Sequence, residues 1–370
     1  MSDLLYSETE DDLRAAVRAL LADRAGSQTV LDRIESPDPY PPGLWDALAG
    51  GIGAAGLLVP EKLGGQGASH REAAVVLEEL GRAVTPAPYL TSAVVATTTL
   101  LALGAEQGPA ADLLRALANA ERVAVLAVPF STAPDGRPAG TGSHGSAGPA
   151  VPATPVPAVP DAVAADVFLV PRADGLYAVD ASDAVVTPLS SLDLTRPLAT
   201  VDPDGAAGTR LADAGAAREA VRRGLLAGAG LLASEQLGLA EWCLEETVRH
   251  TRERHQFNRP VGSFQALKHR MAQLWLELVG ARAVARAAAD ALATGAGDAA
   301  LTVAVAQAYC SKVAVRAAEE CVQLHGGIGM TWEHPAHLAL KRAKSDAIGL
   351  GSAGRHQDAV ASLADLPAPA

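Results

Sequence analysis

Two stretches combine residue types and spacings suited to gripping a phosphorylated ligand. One reads Gln323-x-His325-Gly326-Gly327-x-Gly329, and the other Arg254-x-x-Phe257-x-x-Pro260-Val261-Gly262-x-Phe264-Gln265. A paired glycine lets the backbone approach a ligand closely, because no Cβ intervenes. Gln323 and His325 flank that bare patch with hydrogen-bonding groups. Arg254 carries a planar guanidinium able to hold a diphosphate by a forked, charge-assisted pair of bonds, and Gln265 can add a donor. Taken singly, each has a plainer reading. The glycine pair also serves as a helix stop with nothing bound, and Arg254 as a surface ion-pair partner of an acid such as Glu253.

The elements that position these groups are helical. Val313, Ala317, Cys321 and Leu324 fall at helical spacing and run into Gly326-Gly327, and a second helical run spans Pro335 to Ile348 after a turn. A long apolar helix through Leu225, Leu231, Leu237 and Leu239 ends near Arg252. A polar loop, a helix carrying Phe264, Leu267, Met271, Leu274 and Leu278, and another over about 297–324 follow. The large aromatics Trp242 and Trp275 read as core, and His269 and Met271 as packing or interface residues.

Upstream, residues 1–119 read as helices joined by short loops. Ser7 through Glu10 has the pattern of a helix start, a second helix is expected around Pro42 to Ala49, and Ser69 is placed to cap a helix ending at Gly81. Two further apolar helices are expected near 91–103 and 109–119. Leu63 to Gly67 is a glycine-rich turn that lacks a following Gly-Lys-Ser/Thr, so it reads as structural. From Arg122 the composition changes. Val123–Val128 is strand-like, residues 131–160 are proline-rich and unsuited to helix or central strand, and short strand signals recur at 166–170, 176–179, 184–186 and 198–201. The expectation is a mainly α chain in three units: an N-terminal helical domain (1–119), a small middle β domain (120–212) with a loop-dominated start, and a C-terminal helical bundle (213–370).

The 370 residues are 49% hydrophobic and 4% aromatic, with net charge −12 and no Lys/Arg block. That balance argues against nucleic acid, whose phosphates demand a basic face. No run of 18 apolar residues suggests a membrane span, and the acidic N-terminus lacks a signal-like apolar core, which points to the cytoplasm. Cys243, Cys310 and Cys321 sit within apolar helical patterns and read as buried free thiols. Glu333-His334-Pro335-Ala336-His337 has its histidines three apart with a proline between, so it reads as a turn and helix start, and no metal is expected.

The order of helical block, small β domain and long-helix block, together with these motifs, resembles the acyl-CoA dehydrogenase family over nearly the whole chain. Supporting stretches are Leu58-Val59-Pro60-Glu61-x-x-Gly64-Gly65-x-Gly67, Glu78-Glu79-Leu80-Gly81-Arg82 and Asp193-x-Thr195-Arg196-Pro197. The resemblance implies FAD as cofactor, held by Arg254, Phe257, Gln265, Gln323, His325, Gly326 and Gly327. It also implies that the arginine loop and the glycine turn meet around one FAD from different subunits.

The family's reaction removes an α-proton from an acyl-CoA thioester with a carboxylate base and passes the β-hydride to the flavin. The loop that commonly supplies the glutamate reads here Ala347-Ile348-Gly349-Leu350-Gly351-Ser352, so Leu350 holds its place. The alternative base position, on the first long C-terminal helix, corresponds to Gly228. Neither side chain can accept a proton, so no catalytic residue is assigned. The Thr-Glu-Pro-x-x-Gly-Ser motif that usually contacts the flavin ring is also unrecognisable in Val128-Pro129-Phe130-Ser131-Thr132-Ala133-Pro134. The contrast implies a non-catalytic subunit of a heteromeric (α2β2) acyl-CoA dehydrogenase. A homologous catalytic subunit would bind most of the acyl-CoA, with steroid side-chain CoA thioesters among the substrates and a flavoprotein as electron acceptor. Two other readings stay open: a self-sufficient dehydrogenase using a displaced base such as Asp346 or Glu333, and a non-enzymatic acyl-thioester-binding scaffold.

Overall fold

The computed structural model describes residues 4–36, 38–135 and 154–365. Helix α1 (Glu8–Arg24) opens on a reciprocal cap in which Glu10 N–H donates to Ser7 Oγ and Ser7 N–H to Glu10 Oε2. This arrangement satisfies two donors that a helix start otherwise leaves bare. Ser69 and Glu72 repeat the device on α3 (His70–Ala83). Between them lie α2 (Ser27–Arg33) and a π-helical turn, Asp46–Gly51, which overlaps the helix expected at Pro42 to Ala49 and runs two residues past it. A π-helical stretch (Tyr89–Ala96) runs into α4 (Thr97–Leu101), and α5 (Pro109–Ala118) closes this block. The Gly64–Gly67 turn is structural. Gly64 and Gly67 have φ of +85° and +61°, and a Cβ on Gly65 would overlap the Val59 carbonyl.

Two small sheets follow. β1 (Ala124–Leu126), β3 (Val167–Arg172), β4 (Gly175–Asp180) and β7 (Thr209–Asp213) form one, in the order β1-β3-β4-β7, with β1 and β3 parallel. β2 (Val156–Pro160), β6 (Leu198–Asp202) and β5 (Val185–Leu189) form the other in that order. Val125, Phe168, Val159 and Val201 belong to one buried cluster that joins the two sheets. β2 and β7 carried no signal strong enough to read in the sequence. β2 tolerates Pro157 and Pro160 because it lies at an edge. The remainder of the proline-rich run, residues 136–153, lies outside the described residues.

The C-terminal block is built on α6 (Ala214–Glu253), α7 (Gln265–Thr294) and α8 (Ala299–His325), with α9 (Ala336–Asp346) and α10 (Ala353–Leu363) packed on α8. The Asp213 carboxylate caps α6 by accepting Gly215 and Ala216 N–H, both at 2.9 Å. From Ala227 to Ala240 every residue of α6 is buried, the signature of a helix wrapped by others on all sides. α3 crosses α6 at two glycines: a Cβ on Gly81 would overlap Glu235 O, and one on Gly238 would overlap Glu78 O. The three cysteines are free and buried, as read from their helical settings. Trp275 departs from its expected place in the core. It is 57% exposed on α7, beside the equally exposed Leu276, because the buried stripe of that helix runs through Leu274 and Leu278. His269 is exposed as well, while Trp242 is half-buried against the core. Among the described residues, no helix is long and apolar enough to cross a membrane.

Candidate functional site

Helix α6 ends where Arg254 leaves helical geometry, its N–H still bonded to His250 O at 2.9 Å. The chain then forms a minimal hairpin, β8 (His255–Gln256) and β9 (Arg259–Pro260), turned by Phe257 and Asn258. Both turn residues have positive φ, +52° and +58°. This mirror-image turn suits the strand twist but strains residues with a Cβ. Phe257 is 83% exposed at the tip, its ring edge-on to Phe264 at 6.0 Å. Gln265 is exposed on the first turn of α7. The Arg254 guanidinium has no hydrogen-bond or ion-pair partner among the described residues. The nearby acid, Glu253, is taken by Arg249 at 2.8 Å.

Helix α8 stops at Gly326, whose φ of +65° and ψ of −140° are open only to glycine. Gly326 and Gly327 are exposed, and a Cβ on either would meet nothing within 4 Å. No described residue therefore demands their bareness by packing. Gln323 is exposed beside them. His325 behaves otherwise. Its ring is buried, with Nδ1 2.6 Å from Cys321 O, so it faces the helix interior and touches the turn only through its backbone. The expectation that its side chain flanks the bare patch is corrected. The period Val313, Ala317, Cys321 continues to position 325, which puts that side chain on the inward face.

The helices that carry the two motifs touch near their ends within one chain. The His250 ring, one turn before Arg254, lies 4.3 Å from the ring of His325, immediately before Gly326. The resemblance assigns the arginine loop and the glycine turn to different subunits around one cofactor. Here α6 and α8 run side by side and bring both to the same end of the bundle.

The two positions expected from the resemblance to carry a base, Gly228 and Leu350, lie side by side in a closely packed region. A Cβ on Gly228 would stand 2.6 Å from Val95 Cγ2 and 3.0 Å from Leu350 Cδ1. Leu350 is 4% exposed, with its N–H donating to Phe130 O at 2.7 Å. The Phe130 ring fills the space beside Gly349. The cavity left between Leu90, Thr91, Val95, Phe130, Leu225 and Leu350 measures about 20 Å³. That is room for about one water, against several hundred Å³ for an ordinary ligand pocket.

Neither acid near the loop lines this cavity. Glu333 is exposed. Asp346 is wholly buried in an ion network that sequence reading did not find. Arg342 donates to Asp193 Oδ2 at 2.8 Å, Thr195 O at 2.7 Å and Glu235 Oε1 at 2.5 Å. Arg196 reaches Glu235 at 2.5 Å and Asp346 at 3.4 Å. Burial, then the neighbouring Glu235, pushes the Asp346 carboxyl well above its usual range. For Glu235 burial acts upward too, but Arg196 and Arg342 outweigh it and hold the carboxyl below its usual range. The Asp193-x-Thr195-Arg196 stretch is thus a bolt between the β sheets and the helices. Its partner Arg342 lies too far along the chain for spacing to reveal.

Models of the acyl-CoA dehydrogenase N-terminal and C-terminal domains match residues 7–121 and 218–363. Acyl-CoA dehydrogenase IpdE2 of Mycolicibacterium smegmatis is 36% identical over 349 residues, 93% of this chain and 95% of that protein. The chain belongs to the acyl-CoA dehydrogenase family. Among solved structures, the ChsE4-ChsE5 complex from Mycobacterium tuberculosis matches with a TM-score of 0.82 and 26% identity, covering 99% of this chain and 100% of that one. A variant of the Tcur3481-Tcur3483 steroid acyl-CoA dehydrogenase matches at 0.80 and 26%, covering 97% and 98%. Against the family reaction, the two halves of this acyl-CoA dehydrogenase chain differ. The exposed end holds the Arg254 guanidinium, without a partner among the described residues, and the bare backbone of Gly326 and Gly327. Around Phe130 and Leu350 the described residues leave room for about one water.

Proposed function

We propose that this chain is the non-catalytic subunit of a heteromeric FAD-dependent acyl-CoA dehydrogenase that desaturates an acyl-CoA thioester between its α and β carbons. The observation that carries the reading is the pairing of a closed, base-free interior around Leu350 and Gly228 with an open nucleotide-facing end at Arg254 and Gly326-Gly327. Bound in the partner, FAD supplies the acceptor for the substrate's β-hydride. This chain's residues act on the dinucleotide tail. Arg254 neutralises and orients the diphosphate, Gln265 and Gln323 donate hydrogen bonds, the glycine pair admits close backbone approach, and Phe257 shields the tail from water.

Without a general base a site loses about 10²–10⁴-fold in rate. The α-proton is therefore removed by a carboxylate of a homologous catalytic subunit, which also holds most of the acyl-CoA in an α2β2 assembly. A flavoprotein then takes the electrons. A steroid side-chain CoA thioester is the substrate class we favour, in line with the steroid enzyme to which the chain is similar in structure.

The test is expression of this chain alone and together with its homologous catalytic partner. Alone it is expected to be colourless and unable to reduce a dye with acyl-CoA. The co-purified complex is expected to carry flavin and turn over. A yellow, active single chain overturns the proposal.

A further inference from the structure

Beneath the exposed glycine turn, three imidazoles gather around one carboxylate. The His325 ring lies between His250 on α6, 4.3 Å away, and His334 in the approach to α9, 4.4 Å away. Nε2 of His325 and Nε2 of His334 each stand 3.6 Å from the same oxygen, Glu246 Oε1. The three donor atoms fall within 4.8 Å of one another. A separation of 3.6 Å is too long for a hydrogen bond and leaves a gap between them. The His325 side chain is fully buried, and its Nε2 has no hydrogen-bond partner among the described residues. Its other nitrogen donates to the Cys321 carbonyl at 2.6 Å, which turns Nε2 toward the gap. Histidines that bind metals are oriented in this way, with the far nitrogen donating to a carbonyl or carboxylate.

We infer that Glu246, His325 and His334 form a site for a divalent transition metal of the zinc class. Two imidazoles and a carboxylate form a donor set that suits Zn²⁺ or Co²⁺ and disfavours Mg²⁺ and Ca²⁺, which take oxygen ligands. With bonds of about 2.1 Å, donors 3.6 Å apart subtend about 120° at the ion. Two contacts must yield. Ala336 N–H lies 3.2 Å from His334 Nδ1, which has to take up the proton when Nε2 binds the ion. Arg249 grips Glu246 from outside and turns instead to Glu253, which it already contacts at 2.8 Å. An ion here ties the end of α6, the end of α8 and the approach to α9 together, and so holds Gly326-Gly327 in place.

The test strips the full chain with a chelator, then titrates it with Zn²⁺ by calorimetry and with Co²⁺ by visible absorption. One ion per chain is expected. Glu246→Gln and His334→Gln are each expected to weaken binding at least tenfold, in line with the loss of a ligand, while His337→Gln leaves it unchanged. His334 is only partly buried, so its variant keeps the test meaningful if a change at His325 prevents folding. Absence of stoichiometric binding overturns the site, as does binding undiminished in both ligand variants.

Discussion

Leu350 and Gly228, the two positions that the resemblance matches to the family's base, face each other across one wall of packed carbon, with Leu350 Cδ1 only 3.0 Å from where a Gly228 Cβ would stand. Writing a carboxylate back into either position therefore does not recreate a working site. Leu350→Glu buries an unpartnered carboxyl and is expected to cost about 3 kcal/mol or more. Its melting temperature falls and the chain alone gains no dye reduction with acyl-CoA. Turnover by Leu350→Glu without a partner contradicts the closed site.

Arg254 contributes little to the stability of its own chain, since its guanidinium is unpaired. Arg254→Ala is expected to leave thermal unfolding of the isolated chain within about 0.5 kcal/mol. In the co-expressed complex the same change weakens flavin retention about tenfold, and Arg254→Lys recovers only part of it because the fork is lost. Equilibrium dialysis of flavin from the complex reads this out; unaltered retention counts against the assigned role.

The buried network predicts unequal effects of two similar substitutions. At pH 4, before the raised Asp346 carboxyl begins to cost stability, Asp346→Asn is expected to shift stability by less than about 1 kcal/mol. Glu235→Gln strands two buried arginines and is expected to cost about 3–5 kcal/mol. The pH dependence follows in sign. Because the folded Asp346 carboxyl titrates above its unfolded value near 4, its contribution is complete below that value and declines as pH climbs toward the raised one. The Asn variant should lose that decline in urea unfolding measured from pH 4 upward. Glu235, shifted down, works oppositely: its contribution is present above its unfolded value and lost as pH falls through the folded one.

The crossing of α3 and α6 depends on two missing methyl groups. Gly81→Ala and Gly238→Ala each force the helices apart and are expected to cost about 3 kcal/mol. Denaturant midpoints that match the parent chain would mean that the crossing relaxes freely.

Much of this was legible in the chain because the signals were local. Ser7 with Glu10 and Ser69 with Glu72 announce helix starts, and the apolar run through Leu225 and Leu239 announces a buried helix. What escaped depends on contacts distant in sequence. Arg342 finds Asp193 149 positions away. Trp275 is large enough to suggest a core, yet only the rotation of α7 decides which way it points. β2 and β7 are short, and one carries prolines, so their strand character comes from neighbours rather than propensity. At the end that the resemblance assigns to the nucleotide, residue types could not show the inward turn of His325, which needed the coordinates.

The hairpin after α6 holds an exposed phenyl group on a backbone already fixed in an uncommon pose by two flanking short strands. A surface that receives Phe257 has little loop motion to freeze out, so more of the contact energy survives as affinity. Strain carried by the free chain in this way becomes readiness to dock.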